Sequence, residues 1–166
     1  MVCEIQHWDE HEVVTPVPHS ENIKTIKMKW VFDLKCNGAG ELIRRRARGV
    51  IKGFTQKLGE HYFKSFAVVI RYESVRMLFT IIASHGLDFW MVDFVGMYLN
   101  AKPQGENYLE IPEGFQNHYK LPGINTMLKM NLTIYGMMDG TNNWFRELNK
   151  MFNCLGHQQS RADPCI

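Results

Sequence analysis

The sequence predicts an α+β fold in which helices pack against a sheet. Two alternating runs, residues 29–35 and 41–54, flank a Gly- and Asn-rich turn and are typical of a β-hairpin. Apolar residues with helical spacing follow at 74–86 and at 142–156. Extended apolar runs lie between these two segments. Strands and helices therefore alternate along the chain, which favours the mixed class.

The composition is that of one globular domain. The chain has 166 residues, 45% of them hydrophobic and 22% charged, and a chain of this length is expected to bury roughly 70% of its unfolded surface. The N-terminus resembles no signal peptide, and the longest near-apolar stretch, 77–83, is too short to span a membrane. We therefore expect an intracellular protein, cytoplasmic or nuclear, without membrane contact. Four cysteines without CxxC spacing argue against disulfides and a zinc site.

Residues 1–28 carry mixed polar residues and two prolines in VVTPVP, and we predict an irregular lead-in with a short strand near Val13. The hairpin follows at about 29–54. Its first strand places Trp30, Phe32 and Leu34 on one side, because side chains alternate along a strand.

The second strand of the hairpin is strongly basic. Residues 42–57 hold six cations and no acid, whereas the whole chain carries a net charge of only +2. A period of two places Leu42, Arg44, Arg46, Arg48, Val50 and Lys52 on one face. Two interpretations stay open: a solvated face whose charges protect a sheet edge, or a surface that binds the phosphates of a nucleic acid or a triphosphate.

Two helices are predicted after the hairpin. In the first, Ser74 is the expected N-cap and Gly86 the expected end. In the second, the apolar face consists of Trp144, Leu148, Met151, Phe152 and Leu155, and Gly156 ends the helix.

The run from Phe89 to Val95 predicts a buried strand, and Asp93 is its one charged residue. A carboxylate there is either a metal ligand or a cap for the amides of Val95 and Gly96. A shorter strand is expected at 108–111, ended by Pro112, and residues 127–136 are compatible with another.

The order of several short blocks resembles a known family. KWVF, RARGVIKGFTQ, VDFVGMYLN, YLEIPEGF, IYG followed by a Trp, and ADPCI occur in the same order in copia-type retrotransposon reverse transcriptases. The resemblance runs from about Val13 to the last residue. It implies a portion of a right-hand polymerase, with fingers at about 29–54 and an incomplete palm at about 72–166.

The resemblance also implies RNA-directed DNA polymerisation. In this family three palm carboxylates hold two Mg²⁺ ions, which activate the primer 3′-hydroxyl and stabilise the leaving pyrophosphate. Asp93 stands at the position of the first carboxylate, so it is the expected catalytic residue and metal ligand. The implied partners are an RNA or DNA template–primer and deoxynucleoside triphosphates.

Further site residues follow from the same resemblance. Tyr98 matches the aromatic gate that excludes a ribose 2′-hydroxyl by steric clash, although an ordinary core aromatic is the alternative. Arg48 and Lys52 match basic positions expected to contact the triphosphate or template, and Gly136 keeps its place in the nucleotide-binding block. Arg44 and Arg46 are expected to bind the nucleic-acid backbone.

The sequence also departs from the family pattern. Met138 and Asp139 replace a Lys–Gln pair, and a carboxylate facing the nucleotide would repel phosphate. The family's Tyr-x-Asp-Asp hairpin does not occur in these 166 residues, and Asp163 before Pro164 is no substitute. We therefore expect a domain truncated before that motif and inactive alone, since one carboxylate cannot hold two divalent ions. The alternatives are a non-catalytic nucleic-acid-binding module and a complementing fragment of a larger polyprotein.

Overall fold

The computed structural model describes residues 1–166, which form four α-helices and five strands. In chain order the elements are α1 (Val2–Glu10), β1 (Val14–Pro18), β2 (Met28–Cys36), β3 (Leu42–Ile51), α2 (Tyr72–His85), β4 (Tyr108–Leu109), α3 (Gln116–Tyr119), β5 (Thr126–Met130) and α4 (Gly140–Cys154). Short 3-10 helices lie at Gly53–Thr55 and Met97–Asn100. The predicted α+β class is confirmed.

The strands form two separate antiparallel sheets. One has three strands in the order β1-β5-β4, and the other is the β2-β3 hairpin. The hairpin, the short strand after Val13 and the strand within 127–136 were all predicted from local patterns. β4 is shorter than predicted, because only Tyr108 and Leu109 pair with β5.

The N-terminal segment is not irregular, and this part of the prediction was wrong. Residues 2–10 form α1, whose Ile5 and Trp8 are buried. These two side chains lie one turn apart and therefore point to the same side of the helix. A Cβ at Gly49 of β3 would come within 2.7 Å of the Trp8 ring, so the hairpin and α1 are in close contact there. The helix was not predicted because the residues around Ile5 and Trp8 are mostly polar and show no clear helical periodicity.

One apolar cluster holds the fold together. It joins α1, the three-stranded sheet, the end of β3, the 3-10 helix at Met97–Asn100, and the segment before α4. Its buried residues are Ile5, Trp8, Val13, Ile26, Ile51, Leu99, Leu109, Tyr119, Leu128, Met130, Ile134 and Met137. Helix α2 contributes nothing to this cluster.

Helix α2 ends as predicted but begins differently. Gly86 follows its last residue in the left-handed conformation, with φ 62°, which glycine adopts without steric cost. Ser74 is not the N-cap, since the helix starts at Tyr72. The Ser74 hydroxyl instead donates a 2.6 Å hydrogen bond to Asp163 Oδ2. The same oxygen accepts the backbone N–H of Arg71 at 3.0 Å, so a distant carboxylate caps the helix.

The predicted buried strand at 89–95 does not form. Residues 87–94 have no regular structure, and Trp90 and Met91 are 93% and 92% exposed. An apolar run becomes a strand only where another strand supplies hydrogen-bond partners. Neither sheet pairs with this segment.

The apolar side of α4 is also only partly covered. Trp144 and Leu148 are half-buried, whereas Met151, Phe152 and Leu155 are exposed. The chain has an accessible surface of 11730 Å², against roughly 8,500 Å² expected for a compact monomer of this mass. The predicted burial of roughly 70% was therefore too high.

Candidate functional site

The β2-β3 hairpin has one basic face and one apolar face. The register pairs Lys35 with Arg44, Asp33 with Arg46 and Val31 with Arg48, and directly paired residues share a face of an antiparallel sheet. The opposite face carries Met28, Trp30 and Phe32. At its base Trp30 packs on the ring of Phe115, with centroids 5.8 Å apart, and donates a 3.2 Å hydrogen bond to the Glu113 carbonyl.

Two of the residues predicted on the basic face are placed differently. The register shifts between Lys35 and Cys36, so Leu42 pairs with Cys36. Lys52 follows the last residue of β3 and precedes a 3-10 helix. Its backbone N–H donates to the Lys27 carbonyl at 2.9 Å. The alternation of β3 therefore does not extend to Lys52.

The arginines of β3 form no ion pairs, although Asp33 lies directly opposite Arg46 in the register. None of Arg44, Arg45, Arg46 and Arg48 takes part in an ion pair within the protein. The first three are exposed, whereas Arg48 is half-buried and its Nε has no hydrogen-bond partner. A buried guanidinium N–H without an acceptor is energetically unfavourable. The basic face thus retains capacity to bind an anion.

Arg48 and Tyr98, which are 50 residues apart in the sequence, both contact Tyr135. The Arg48 guanidinium lies 5.8 Å from the centre of the Tyr135 ring, a cation–π geometry. Tyr98 meets the same ring edge-on, at a centroid distance of 5.0 Å. On its other side Tyr98 packs against the start of α4 at Gly140. Tyr98 is half-buried, which is compatible with both interpretations of its role.

Gly136 joins this cluster to the end of β3. Its φ is 87°, and a Cβ at this position would collide with the Ile51 carbonyl oxygen. The preceding carbonyl, of Tyr135, accepts the Ile51 N–H at 2.7 Å. Glycine is therefore required for backbone packing here.

A groove of about 500 Å³ lies beside the cluster. We call it the basic groove; it is bounded by α1, the hairpin and the turn before the 3-10 helix at Met97–Asn100. Its walls combine cations with apolar and aromatic side chains. Among its lining residues are Glu4, His7, Phe32, Arg44, Arg46 and Tyr135.

Asp93 does not lie in a metal-binding arrangement. It is exposed, makes no hydrogen bond, and so does not cap the amides of Val95 or Gly96. Its neighbour Phe94 packs edge-on against Trp144 of α4 at 5.0 Å. Asp93 belongs to no group of three or more carboxylates, histidines or cysteines close enough to hold an ion. The donors present therefore do not fit two Mg²⁺ ions, which need several oxygen ligands each.

Asp139 does not face a nucleotide, contrary to the concern raised by its replacement of a neutral residue. It is fully buried, and its Oδ2 accepts a 2.7 Å hydrogen bond from the Asn143 side chain. The backbone N–H of Gln104 lies 3.4 Å from the same oxygen. The carboxylate therefore belongs to an internal polar network at the start of α4. The neighbouring Met138 is the exposed residue of the pair.

Some site residues were missed from the sequence. Tyr135 stands in the IYG block, but nothing local indicated that it would contact both Arg48 and Tyr98. Glu4 and His7 were missed because α1 was not predicted. Glu4 accepts the backbone N–H of Gly49 at 3.2 Å and so ties α1 to β3.

The chain is similar in sequence to a known protein family and to several of its members. The model of the family described as reverse transcriptase (RNA-dependent DNA polymerase) matches residues 11–166. The chain is 31% identical over 143 residues to a retrovirus-related Pol polyprotein from transposon TNT 1-94 of Nicotiana tabacum, covering 86% of this chain and 10% of that protein. It is 26% identical over 159 residues to the polyprotein from transposon RE1 of Arabidopsis thaliana, covering 96% and 10%.

A third relative, the polyprotein from transposon RE2 of Arabidopsis thaliana, is 28% identical over 159 residues. The chain spans about a tenth of the length of these relatives. No solved structure was found to match it. None of its helices is both long and apolar enough to cross a membrane. Since the family match covers almost the whole chain, the protein belongs to the reverse transcriptase (RNA-dependent DNA polymerase) family, in the copia-type group of retrotransposon Pol polyproteins.

Proposed function

We propose that the chain forms the fingers and part of the palm of a copia-type reverse transcriptase. In this proposal the basic face of the hairpin binds the template–primer through Arg44 and Arg46. Arg48, Lys52, Tyr98 and Gly136 bind the incoming deoxynucleoside triphosphate. The observation that carries the proposal is the contact of Arg48 and Tyr98 with one ring, Tyr135, next to Gly136.

The chemistry of this cluster suits a nucleotide. A guanidinium can bind phosphate oxygens through two parallel hydrogen bonds, and Arg48 forms no ion pair within the protein. Aromatic edges can limit the space open to a sugar, which is how a steric gate would reject a 2′-hydroxyl. These groups can bind and orient a nucleotide without themselves changing protonation.

We propose Asp93 as one metal-ligating carboxylate of the polymerase. The 166 residues supply only this one carboxylate at the expected place, so the isolated chain should bind nucleic acid without polymerising it.

The binding half of the proposal is tested by the salt dependence of affinity for an RNA–DNA hybrid. Two phosphate contacts, from Arg44 and Arg46, should give a log–log slope of about −2. If Arg48 and Lys52 also contact the hybrid, the slope should steepen to about −3 to −4. Replacing these four residues by Ala should flatten the slope towards zero, as measured by fluorescence anisotropy over a salt series.

The matched control removes four exposed lysines elsewhere. Lys24, Lys64, Lys102 and Lys120 form no ion pair in the protein, and their replacement by Ala lowers the net charge equally. This variant should retain most of the slope. Equal losses in both quadruple variants would mean that binding depends on net charge alone, and the hairpin would lose its assigned role.

The catalytic half is tested by primer extension. The 166-residue chain should incorporate no nucleotide with Mg²⁺ or Mn²⁺, because a single carboxylate cannot position two ions. Incorporation that disappears in Asp93→Asn would contradict this expectation and show that the chain assembles a complete metal site.

The non-catalytic binding module remains the second candidate. The observation that favours it is the row of exposed arginines without ion pairs on β3, which needs no metal site to act. It predicts that all four basic residues contact the hybrid duplex, with a slope of about −3 to −4 and no dependence on Tyr98. The nucleotide site instead predicts that Tyr98→Ala weakens triphosphate binding.

A further inference from the structure

We propose a transition-metal site of the zinc type at the C-terminal end of α1, formed by His7 and Glu10 of the helix and by His11, the residue directly after it. One ring nitrogen of each histidine and one carboxylate oxygen of Glu10 lie within 4.8 Å of one another. No other histidines, cysteines or acids in the 166 residues form such a group. The site shares His7 with the wall of the basic groove, but its ligands need none of the residues assigned to nucleotide or template binding.

Helix geometry brings these three residues together. Side chains three and four positions apart lie on the same face of an α-helix, one turn above the other. The His7 and His11 rings are tilted by 48° with centroids 4.3 Å apart, and His7 Nδ1 lies 3.7 Å from Glu10 Oε2. The ligand atoms would need to approach to roughly 3.3 Å in tetrahedral coordination with bonds of 2.0–2.2 Å. Because Glu10 and His11 are exposed and His7 is half-buried, side-chain rotations can close that gap.

The donor set selects the kind of ion. Two imidazoles and one carboxylate are typical zinc ligands that leave a fourth position for water. Neutral imidazole nitrogen is a poor ligand for Mg²⁺, which prefers oxygen. The site should therefore discriminate strongly against the ion that the polymerase family uses.

One nitrogen of the His11 ring contacts the backbone of the preceding turn. The Nδ1 atom lies 3.0 Å from the His7 backbone carbonyl. A proton on Nδ1 would donate to that carbonyl and leave Nε2 free for the ion, the arrangement usual for metal-bound histidines. The helix below the ligands is anchored, since Ile5 and Trp8 are buried in the main core and Glu4 binds Gly49 of β3. The ligands thus stand on a fixed backbone.

The test is titration of the chain with Zn²⁺ by calorimetry, under a thiol-free reductant. We expect one Zn²⁺ per chain. His7→Gln/His11→Gln and Glu10→Gln should each weaken binding by at least about tenfold, the loss produced even by removing a group that only orients a ligand. Zn²⁺ should raise the unfolding midpoint of the unmodified chain and not that of the double variant.

Two controls separate this site from adventitious binding. His19 is exposed and lies outside the group, and Cys3 lies one turn before His7; His19→Gln and Cys3→Ser should keep the affinity within about twofold, a difference of about 0.4 kcal/mol. A millimolar excess of Mg²⁺ should not compete. Unchanged Zn²⁺ affinity in the double variant, with its helix content intact by circular dichroism, would overturn the proposal. So would an equal loss in His19→Gln.

Discussion

At the scale of single residues, Gly136 shows how one backbone conformation holds the candidate site together. It has φ 87° and lies against the Ile51 carbonyl, and the carbonyl of the neighbouring Tyr135 accepts a hydrogen bond from the Ile51 N–H. Tyr135 in turn contacts Arg48 and Tyr98. A side chain at residue 136 would thus disturb the position of the aromatic ring that the proposed nucleotide site shares.

Gly136→Ala is expected to destabilise the protein by about 1–3 kcal/mol for the left-handed conformation alone, with an added cost from the collision with Ile51. Gly114→Ala is the matched control, because Gly114 has φ 85° and open space around a Cβ. Urea unfolding should show the larger loss for Gly136→Ala. Equal losses would mean that the Ile51 contact relaxes at no cost.

At this scale, the position of a side chain can be predicted from the sequence where it depends on local alternation. It cannot be predicted where it depends on burial. The basic residues of β3 follow from alternation, and three of them, Arg44, Arg46 and Arg48, share a face as predicted. Asp139 could not be interpreted this way. Whether a carboxylate faces solvent or an internal amide depends on Gln104 and Asn143, which come together only in the folded chain.

At the scale of elements, the beginning of α2 depends on a residue from the end of the chain. Asp163 Oδ2 accepts hydrogen bonds from Ser74 and from the Arg71 N–H, and Oδ1 accepts the Cys165 N–H at 3.0 Å. These hydrogen bonds, that of Ser74 foremost, stabilise the charged carboxylate and hold the pKa of Asp163 below the ordinary value of 3.8 for an aspartate. The ADPCI block therefore has a structural role as a helix cap.

The lowered pKa sets the direction of a pH effect. A carboxyl whose pKa is lower in the folded protein binds fewer protons there than in the unfolded chain at the same pH. Its contribution to stability is therefore complete above about pH 3.8 and is lost as the pH falls through the folded-state pKa. An NMR titration of the Asp163 carboxyl carbon should give a midpoint below 3.8, and Ser74→Ala should raise that midpoint.

Thr80→Ser is a suitable control, because the Thr80 hydroxyl bonds within α2 to the Arg76 carbonyl and does not contact Asp163. It should leave the Asp163 midpoint unchanged. A midpoint at the ordinary value in the unmodified protein would indicate that the cap does not form in solution.

Elements specified by the local sequence pattern could be predicted. Elements that need a partner from a distant part of the chain could not. The hairpin is specified by two alternating runs and a turn, so its strands needed no other part of the chain. Residues 89–95 have the composition of a buried strand, but strand formation requires a neighbouring strand. The cap on α2 joins residues about 90 positions apart, and no local pattern encodes such a pair.

At the scale of the whole molecule, the buried core and the apolar surface lie in different parts of the chain. The core joins α1, the three-stranded sheet and the base of the hairpin. Helix α2 has no buried residue, and its Phe79 contacts Phe89 of the exposed segment edge-on at 5.8 Å. Large apolar patches on a protein surface favour association. We therefore expect the isolated chain to self-associate with increasing concentration.

The exposed segment provides the test of this expectation. Trp90→Ser/Met91→Ser should reduce self-association in sedimentation velocity, because Trp90 is 93% exposed and Met91 is 92% exposed. The free energy of unfolding should change by only about 0.5 kcal/mol, as is usual for surface positions. Trp8→Ala, which removes a side chain that is 1% exposed, should instead cost about 3–5 kcal/mol. A loss of that size in the double variant would mean that residues 87–95 are packed in solution, and the segment would then belong to the core of the folded chain.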